Sequence, residues 1–336
     1  MHHRVDEWCR GAPWFGEVRG ERVVIRAMGE ADIDAVADLA QSARLLEASW
    51  QPQLWSPSSR ARGVHPLVLR RQLDAGLPAL IDEAPDGTLV GAVVPAEPMR
   101  CNGPESAAPW LVDDFYVATP LLWRTTGRAL LIALAARAAS AGVERLVVSC
   151  GGTDAALAEV LAGAGLRKTG WVRVRTITTP RAAVPVGVRS VVDADHDQVS
   201  HLLAGAARHH HTVRTTAPVD VGSIALALDD GDGPIGVAVI DSSVPAPPGH
   251  EPQLGTTLAE PIVLAPSADW TEDGARLVRG IEWLATSRHD EQVVIPCGPG
   301  ESDMDEELGS AGYIVPLEWW TLDVGGRGGC PPSARP

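Results

Sequence analysis

Two adjacent carboxylates are the residues whose type and spacing point most directly to chemistry. Asp113 and Asp114 stand in the apolar segment 110–117, and a carboxylate accepts a proton from an attacking nucleophile. Consecutive strand residues project to opposite faces, so only one of the two meets a given substrate. We favour Asp113 as the general base, with Asp114 as the second choice. The alternative is that both are structural or solvated carboxylates.

A basic turn follows this segment and precedes a long apolar helix. It consists of Arg124, Thr125, Thr126, Gly127, Arg128 and Ala129. A glycine lets backbone approach a diphosphate closely, and the amides and dipole of a helix N terminus favour anions. The six-residue pattern alone is expected about once by chance in a chain of this composition. Its place between a strand and a helix therefore carries the prediction of a phosphate-binding turn.

Periodicity and turn residues predict the elements that position these groups. After Asp32, which caps a helix, apolar residues recur at the i, i+3, i+4, i+7 spacing of one helix face. A hairpin of 79–82 and 88–94, a strand over 110–117 and a helix over 125–140 follow. We expect the order β-α-α-β-β-β-α-β-α-β, with Thr153 capping the last helix and 171–178 closing the sheet.

The same order occurs twice along the chain. Five early landmarks, Arg26, Asp32, Asp34, Val36 and Leu39, are mirrored by Arg189, Asp195, Asp197, Val199 and Leu202. Four later ones, Gly127, Cys150, Leu161 and Gly165, recur 147 positions on as Gly274, Cys297, Leu308 and Gly312. Such a repeat predicts two similar domains, the second with a shortened middle.

Five segments follow from the repeat and the turn residues. We expect an N-terminal arm in 1–20, a first domain in 21–180 and a linker in 181–186. A second domain occupies 187–324, and the Gly- and Pro-rich segment 325–336 is predicted to be a disordered tail. A length of 336 residues suits two cores better than one.

Charge is concentrated in the second half. Residues 1–180 carry 19 basic and 20 acidic side chains, and the remainder carries 9 and 23, so −14 of the net −15 lies beyond residue 180. A field this negative repels nucleic acid and attracts cations, which favours a small cationic amine as partner. The plain alternative is ordinary solubility charge.

Cysteine usage and hydropathy indicate the compartment. Five cysteines without a C-x-x-C pair suit a reducing cytoplasm and offer no zinc framework, so no metal is expected. The longest apolar run, 129–136, is far shorter than the roughly 20 residues that span a bilayer. We expect a cytoplasmic protein without a membrane partner, as a monomer or homodimer.

The two candidate sites together resemble those of the GNAT superfamily of acyl-CoA-dependent N-acetyltransferases. Arg124, Gly127 and Ala129 match that family's [Q/R]-x-x-G-x-[G/A] turn, and the segment 113–117 is similar to the acidic-Asp-aromatic-aromatic-Val strand of its polyamine-type members. The resemblance spans 23–178 and, more weakly, 187–324. The tandem layout and the Arg-rich, Lys-poor composition also resemble the mycothiol synthases.

The resemblance implies acetyl-CoA, or another acyl-CoA, as co-substrate. The basic turn would hold the pyrophosphate, and the strand residues Phe115, Tyr116 and Val117 would lie at the acyl group, with backbone groups of the last two on the thioester. Two departures stand out. The stretch 117–124 is about two residues longer than the family's common form, and Leu161 occupies the place of the family's general-acid tyrosine.

The predicted fold class is therefore α/β with a mixed sheet. We expect two tandem GNAT-like domains, each a mostly antiparallel six- or seven-stranded sheet flanked by helices. The second copy is predicted to be degenerate, because its turn, 271–276, places Glu272 and Asp273 where a phosphate would sit.

The predicted function is transfer of an acetyl or short acyl group from coenzyme A to a primary amine by direct attack in a ternary complex. One alternative is a non-catalytic acyl-CoA sensor or scaffold. Another is a Fem-type aminoacyl-tRNA-dependent transferase, against which the acidic second half argues.

Other patterns favour plainer interpretations. The glycines of 231–236 fit a dinucleotide pattern, but a strand rather than a helix follows, so a hairpin is expected. The histidines at 201 and 209–211 lack partners at ligand spacing and predict a solvated loop. Cys150 is expected to be a small buried residue rather than a nucleophile.

Overall fold

The computed structural model describes residues 14–18, 21–50, 55–96, 109–179, 183–207, 224–241, 250–252 and 255–324. These residues form two compact units. Unit 1 draws on 1–168, 246–251 and 319–336, and unit 2 draws on 169–245 and 252–318.

Unit 1 is a mixed sheet between helices. Its strands are β1 (Trp14–Val18), β2 (Glu21–Ala27), β4 (Leu80–Glu83), β5 (Leu89–Ala96), β6 (Trp110–Val117) and β7 (Arg145–Gly151), adjacent in that order. The end of β15 (Ile314–Asp323) continues the sheet beside β7. All pairs from β1 to β6 are antiparallel, whereas β6 and β7 are parallel. A short strand, β3 (Trp55–Pro57), lies outside this sheet.

Four helices cover the two faces of this sheet. They are α1 (Ile33–Trp50), α2 (Ala61–Asp74), α3 (Thr126–Ser140) and α4 (Ala155–Gly163). Leu80 packs in one apolar cluster with Leu130 and Leu134 of α3, and its neighbour Ile81 packs in another with Val36 of α1 and Leu69 of α2. Because adjacent strand residues face opposite ways, α3 and α4 lie on one face and α1 and α2 on the other.

Unit 2 repeats this plan. Its sheet runs β8 (Arg167–Thr176), β14 (Gln292–Cys297), β13 (Thr256–Leu264), β11 (Pro234–Asp241), β10 (Ile224–Asp229) and β9 (Val188–Ser190). Here too the pairing of β13 with β14 is parallel, and the other pairs are antiparallel. Its helices are α5 (His196–Ala207), α6 (Ala275–Ser287) and α7 (Ser302–Ser310). The short β12 (His250–Pro252) begins in the segment that belongs to unit 1 and pairs there with β3.

A matching ion network marks the beginning of each copy. Arg26 donates to Asp32 at 2.7 Å and to Glu83 at 2.7 Å. The second copy places Arg189 against its own pair of carboxylates, Asp195 and Asp229, at 2.6 and 2.7 Å. The arginine and the first aspartate in each set are the landmarks from which the sequence predicted a repeat.

Most predicted elements form within a few residues of their expected bounds, but three details differ. Asp32 does not cap α1, because a 3₁₀ turn, Glu30–Asp32, precedes that helix, and the Asp32 side chain accepts the Gly29 amide at 2.8 Å. Asp154, not Thr153, caps α4, because its side chain accepts the amide of Leu157 at 2.9 Å. The strand expected over 171–178 does not close the first sheet. It forms as β8, and from Trp171 to Thr176 it pairs with β14 inside unit 2.

The predicted boundaries at 21–180 and 187–324 remain predictions, although the compact units do not coincide with them because of β8 and β15. The predicted tail, and most of the predicted arm and linker, lie outside the described residues. In the described part, β1 forms at the end of the arm segment. Among the described helices, none is long and apolar enough to cross a membrane.

Candidate active site

A β-bulge in β6 sits at the first candidate residue. Val94 of β5 lies opposite Asp114, and Ala96 lies opposite Leu111. One residue of β5 therefore faces two of β6, Val112 and Asp113. A bulge bends its strand and redirects the side chains at that point. This bulge explains why Trp110 and Phe115, which have opposite parity, pack in the same apolar cluster.

The parallel pairing of β6 with β7 ends at the bulge. Three residue pairs join the two strands, the last being Val112 with Val148. Both strands continue beyond this pair, to Val117 and Gly151. The ladder between the two parallel strands therefore stops before either strand ends, and the stretch beyond Val112 and Val148 is called the gap here.

Asp113 lies beside this gap. It is half-buried, and the Ser149 hydroxyl of β7 donates a hydrogen bond to its Oδ1. The pKa of the Asp113 carboxyl is raised to about 6, mainly by burial; the bond from Ser149 opposes this effect, and the neighbouring charge of Asp114 adds to it. A carboxyl with this pKa is mostly ionised at pH 7 and is still a better proton acceptor than an ordinary aspartate.

Asp114 is in a different environment, on the face covered by α1 and α2. It is fully buried, and its Oδ1 accepts the Tyr116 hydroxyl at 2.6 Å and Arg44 Nη2 at 3.3 Å. Its Oδ2 lies 3.1 Å from His65 Nε2. Burial alone would raise the pKa of the Asp114 carboxyl, but the bonds and charges of His65, Arg44 and Tyr116 hold it below its usual range.

The three residues expected at the acyl group follow the bulge. Phe115 and Val117 are buried in the α3-side core, where Phe115 meets the ring of Trp123 edge-on at 4.9 Å. Tyr116 points the other way, into the Arg44 cluster. On the β5 side, Tyr116 and Val117 pair with Ala92 and Gly91.

The basic turn joins a short 3₁₀ helix, Pro120–Arg124, to α3. The Thr125 amide is bonded to the Leu122 carbonyl at 3.2 Å, so it is not available to a ligand. The first α-helical bond runs from the Ala129 amide to the Thr125 carbonyl at 3.0 Å. The amides before it, at 126–128, belong to the helix N terminus, and Thr125 does not cap them with its side chain.

Side chains of the turn divide into exposed and buried ones. Arg124 and Arg128 are exposed, whereas Thr126, Gly127 and Ala129 are buried. Arg124 Nη2 donates to Glu159 Oε2 of α4 at 2.7 Å, an exposed ion pair between the turn and the neighbouring helix. Two exposed arginines therefore stand within or beside the first turn of α3, whose N terminus favours anions.

Packing alone requires a glycine at position 127, whether or not a ligand binds there. A Cβ at this position would lie 2.5 Å from a ring carbon of Trp123, four residues earlier. Gly274 of the second copy meets Trp270 in the same way, at 2.2 Å. The glycine by itself therefore carries no information about phosphate.

Buried Asp82 anchors the first residue of α3. The Thr126 hydroxyl donates to Asp82 Oδ2 at 2.7 Å, and the Val24 amide donates to its Oδ1 at 3.1 Å. Burial raises the pKa of the Asp82 carboxyl, against the effect of both hydrogen bonds. This contact ties the helix N terminus to the sheet.

The corresponding turn of unit 2 is occupied by its own carboxylates. Asp269 accepts the amide and the hydroxyl of Thr271, both at 2.8 Å. Asp273 accepts the Asp269 amide at 3.0 Å and pairs with Arg276. These bonds hold the pKa of the Asp273 carboxyl below its usual range. An anion arriving here meets fixed negative charge and an arginine that is already paired.

Sequence reasoning missed the partners of these residues. Arg44, His65, Ser149 and Glu159 come from four different elements, and no spacing links them to the strand or the turn. Leu161, where the family's tyrosine was sought, is fully buried in the α3-side core.

The remaining predicted features are partly described. Residues 231–236 form the β10–β11 hairpin, as expected. The histidines at 209–211 lie outside the described residues, and His201 is exposed. Cys150 is buried. Within the described ranges, no group of three His, Cys, Asp or Glu side chains suits a metal ion.

Comparison with known proteins identifies the fold. No family model matches the chain, and no curated protein matches it. Among solved structures, a GCN5-related N-acetyltransferase from Sphaerobacter thermophilus is similar over 90% of this chain and 96% of its own, with 16% identity and a TM-score of 0.53. The glucosamine N-acetyltransferase region of a fungal multi-domain β-N-acetylglucosaminidase is similar over 89% of this chain and 38% of its own, with 12% identity and a TM-score of 0.53.

A tandem GNAT protein of the clavulanic acid biosynthesis pathway aligns over 90% of this chain and 99% of its own, with 16% identity and a TM-score of 0.45. The Sphaerobacter and fungal similarities establish a GCN5-related N-acetyltransferase fold, in agreement with the expected mixed α/β class.

Proposed function

We propose that this chain, which has the GCN5-related N-acetyltransferase fold, transfers an acyl group, most simply acetyl, from coenzyme A to an amine. The site is in unit 1. The observation that carries the proposal is the gap after Val112 and Val148, with Asp113 on its edge and the basic turn at the end of β6.

Coenzyme A would bind with its pyrophosphate at the basic turn. The amides at 126–128 and the dipole of α3 attract the anion, and Arg124 and Arg128 add charge. The pantetheine arm would then enter the gap, where the β6–β7 ladder has ended and strand backbone can hydrogen-bond to its amides and to the thioester carbonyl.

Asp113 would accept the proton of the acceptor amine. An alkylammonium with a pKa near 10.4 costs about 4 to 5 kcal/mol to deprotonate at pH 7, so a nearby carboxylate assists, directly or through water. The amine nitrogen forms a bond to the thioester carbon, the carbon–sulfur bond breaks, and the electron pair leaves with sulfur. Asp114 is a poorer candidate, because its oxygens are committed to three buried partners.

The leaving group needs little help. A thiol with a pKa near 8.5 departs as thiolate far more readily than an alkoxide does. Catalysis therefore does not require the tyrosine that the family places where this chain has buried Leu161.

The acceptor that we propose is a small cationic amine. The net charge of −15 favours a cation over nucleic acid as partner. We propose that unit 2 is a scaffold that binds no coenzyme, because its turn is filled by Asp269 and Asp273. A cytoplasmic monomer or homodimer remains our expectation.

One observation favours a second candidate function, an acyl-CoA sensor without catalysis. The family's general-acid tyrosine is replaced by Leu161. If no amine can reach the site either, a bound acyl-CoA thioester would remain intact, as a sensor requires. Incubation with acetyl-CoA and a panel of primary amines, followed by thiol detection, separates the two. Amine-dependent release of coenzyme A supports the transferase, and tight binding without release from any amine supports the sensor.

A further inference from the structure

Arg44, His65, Asp114 and Tyr116 form a buried polar cluster behind the proposed base. They come from α1, α2 and β6, and each is at most 4% exposed. Arg44 Nη2 lies 3.1 Å from the Tyr116 hydroxyl and 3.1 Å from His65 Nε2, in addition to its contact with Asp114. Its guanidinium also lies over the Tyr116 ring, with 5.6 Å to the centroid.

Arg44 lies against both ring nitrogens of His65. Its Nη1 is 3.4 Å from Nδ1, and its Nη2 is 3.1 Å from Nε2. Nε2 is also 3.1 Å from Asp114 Oδ2. The cluster therefore places the Arg44 cation and the Asp114 carboxylate around one imidazole ring.

Stability does not account for such a cluster. Burying an ion pair gains little over apolar packing of the same volume, and removing one partner leaves a buried charge uncompensated. The Arg44 Nε proton is itself buried without a partner among the described residues. A function in tuning the neighbouring site is a better explanation.

We propose that Arg44 and His65 are positioning residues that hold Asp114 as a compensated charge directly behind Asp113 and thereby set how readily Asp113 takes up a proton. Asp113 and Asp114 are consecutive, with Cα atoms about 3.8 Å apart. The negative charge of Asp114 disfavours ionisation of Asp113, and cations beside Asp114 offset this effect. The assignment of a catalytic purpose to this tuning rests on the proposed acyl transfer.

Among the described residues, two groups act on Asp113, one from the neighbouring strand β7 and one from its own strand. Ser149 of β7 donates to it, and the negative charge of Asp114 raises its pKa. Asp114 in turn is held by His65 from α2, Arg44 from α1 and Tyr116 from its own strand. A change in the charge of the cluster therefore changes the proton affinity of Asp113, and it does so through Asp114.

Carbon-13 NMR of the side-chain carboxyls tests this without turnover. The Asp113 signal is assigned by its loss in Asp113→Asn, and its midpoint is followed by pH titration. We expect Asp114→Asn to lower the Asp113 midpoint by about one unit, because a like charge is removed. Arg44→Gln raises the midpoint of Asp113 or that of Asp114, since two uncompensated carboxylates titrate as a pair. Arg44→Lys, which restores the cation, returns both towards the wild-type values.

Glu282→Gln is the matched control. Glu282 is a buried carboxylate of unit 2 that accepts Arg175 Nη1 at 2.7 Å, and its loss leaves the Asp113 midpoint unchanged. If Asp114→Asn does not fold, the Arg44→Gln/Asp114→Asn double variant, compared with Arg44→Gln, measures the effect of the same charge. An Asp113 midpoint within about 0.2 unit of wild type in folded Asp114→Asn overturns the proposal.

Failure of the proposed function is visible separately. If the carboxyl midpoints move as expected but no amine releases coenzyme A, the tuning is real and the acyl transfer is wrong. If coenzyme A is released and the midpoints do not move, the acyl transfer stands and the cluster has no part in setting the base.

Discussion

The turn before α3 and the turn before α6 have the same skeleton and opposite electrostatics. In each, a glycine packs against the ring of a tryptophan four residues earlier, Trp123 in one and Trp270 in the other. In unit 1 the neighbouring side chains are basic and exposed. In unit 2 they are carboxylates that already accept the local amides. The difference teaches that the glycine is a packing requirement and that the ability to hold a phosphate lies in the residues around it.

The strands before these turns, β6 and β13, also share backbone geometry and differ in their side chains. Both carry a bulge, formed by Val112 and Asp113 in β6 and by Glu260 and Pro261 in β13. Both lose their parallel partner after three residue pairs. Unit 1 has Asp113 as the second bulge residue, whereas unit 2 has Pro261 there, after the half-buried Glu260. This difference supports the proposal that the reaction takes place in unit 1.

The largest expected effect is the loss of the base. Asp113→Asn keeps the shape of the side chain but cannot take up a proton, and we expect turnover to fall by roughly 100- to 10,000-fold. Coenzyme A release with a responsive amine measures it. The control is Asp290→Asn in unit 2, where the Thr257 hydroxyl also donates to a carboxylate. If Asp113→Asn and Asp290→Asn lowered turnover to a similar extent, the base could not be assigned to unit 1.

Adding a methyl group to each glycine compares the two turns directly. Gly127→Ala and Gly274→Ala both force a Cβ into a tryptophan ring, so each is expected to lower the free energy of unfolding by about 1–3 kcal/mol. Chemical denaturation checks this. Only Gly127→Ala also weakens acetyl-CoA binding in calorimetry. If only Gly274→Ala weakened acetyl-CoA binding, the coenzyme site would lie in unit 2 and not in unit 1.

The pH dependence follows from the Asp113 carboxyl. Its pKa is raised to about 6, and only the ionised form accepts a proton, so activity is lost as pH falls through this value. We expect kcat/KM to drop about tenfold per pH unit below it. A pH-rate profile locates this acid limb, which disappears in Asp113→Asn. A limb near pH 4 would indicate an ordinary, solvated carboxylate as base.

The smallest expected effect is at the ion pair on the turn. Glu159 competes with a phosphate for Arg124, to which it is bonded at 2.7 Å. We expect Glu159→Gln to tighten acetyl-CoA binding by a few fold, because exposed pairs are worth less than about 1 kcal/mol. Calorimetry at low salt measures it, with Glu272→Gln as the control in the second turn. Weaker binding in Glu159→Gln would mean that the pair organises the site.

Local patterns in the sequence predicted the parts of unit 1 that are local in space. The strand 110–117 and the helix that follows the turn are set by apolar periodicity over a few residues, and both form as expected. The hairpin at 231–236 follows from glycines and alternation in the same way. The repeated arginine–aspartate landmarks predicted two copies, because each is a contact between residues six apart.

Contacts between distant residues were not predictable from the sequence. The pairing of β8 with β14 joins residues more than 100 positions apart, and nothing in the alternation of 167–176 favours one partner over another. The cluster around Asp114 is similar, since Arg44 and His65 lie 70 and 49 positions before it. An arginine inside an amphipathic helix is ordinarily a surface residue, so its burial depends on the carboxylate opposite it.

Isothermal calorimetry of acetyl-CoA binding is the decisive experiment for the proposed coenzyme site. We expect one binding site per chain, abolished by Arg124→Glu combined with Arg128→Glu and unaffected by Arg276→Glu in unit 2. Absence of heat with the wild-type protein, or binding that survives the first pair of changes and is lost with the second, would contradict it.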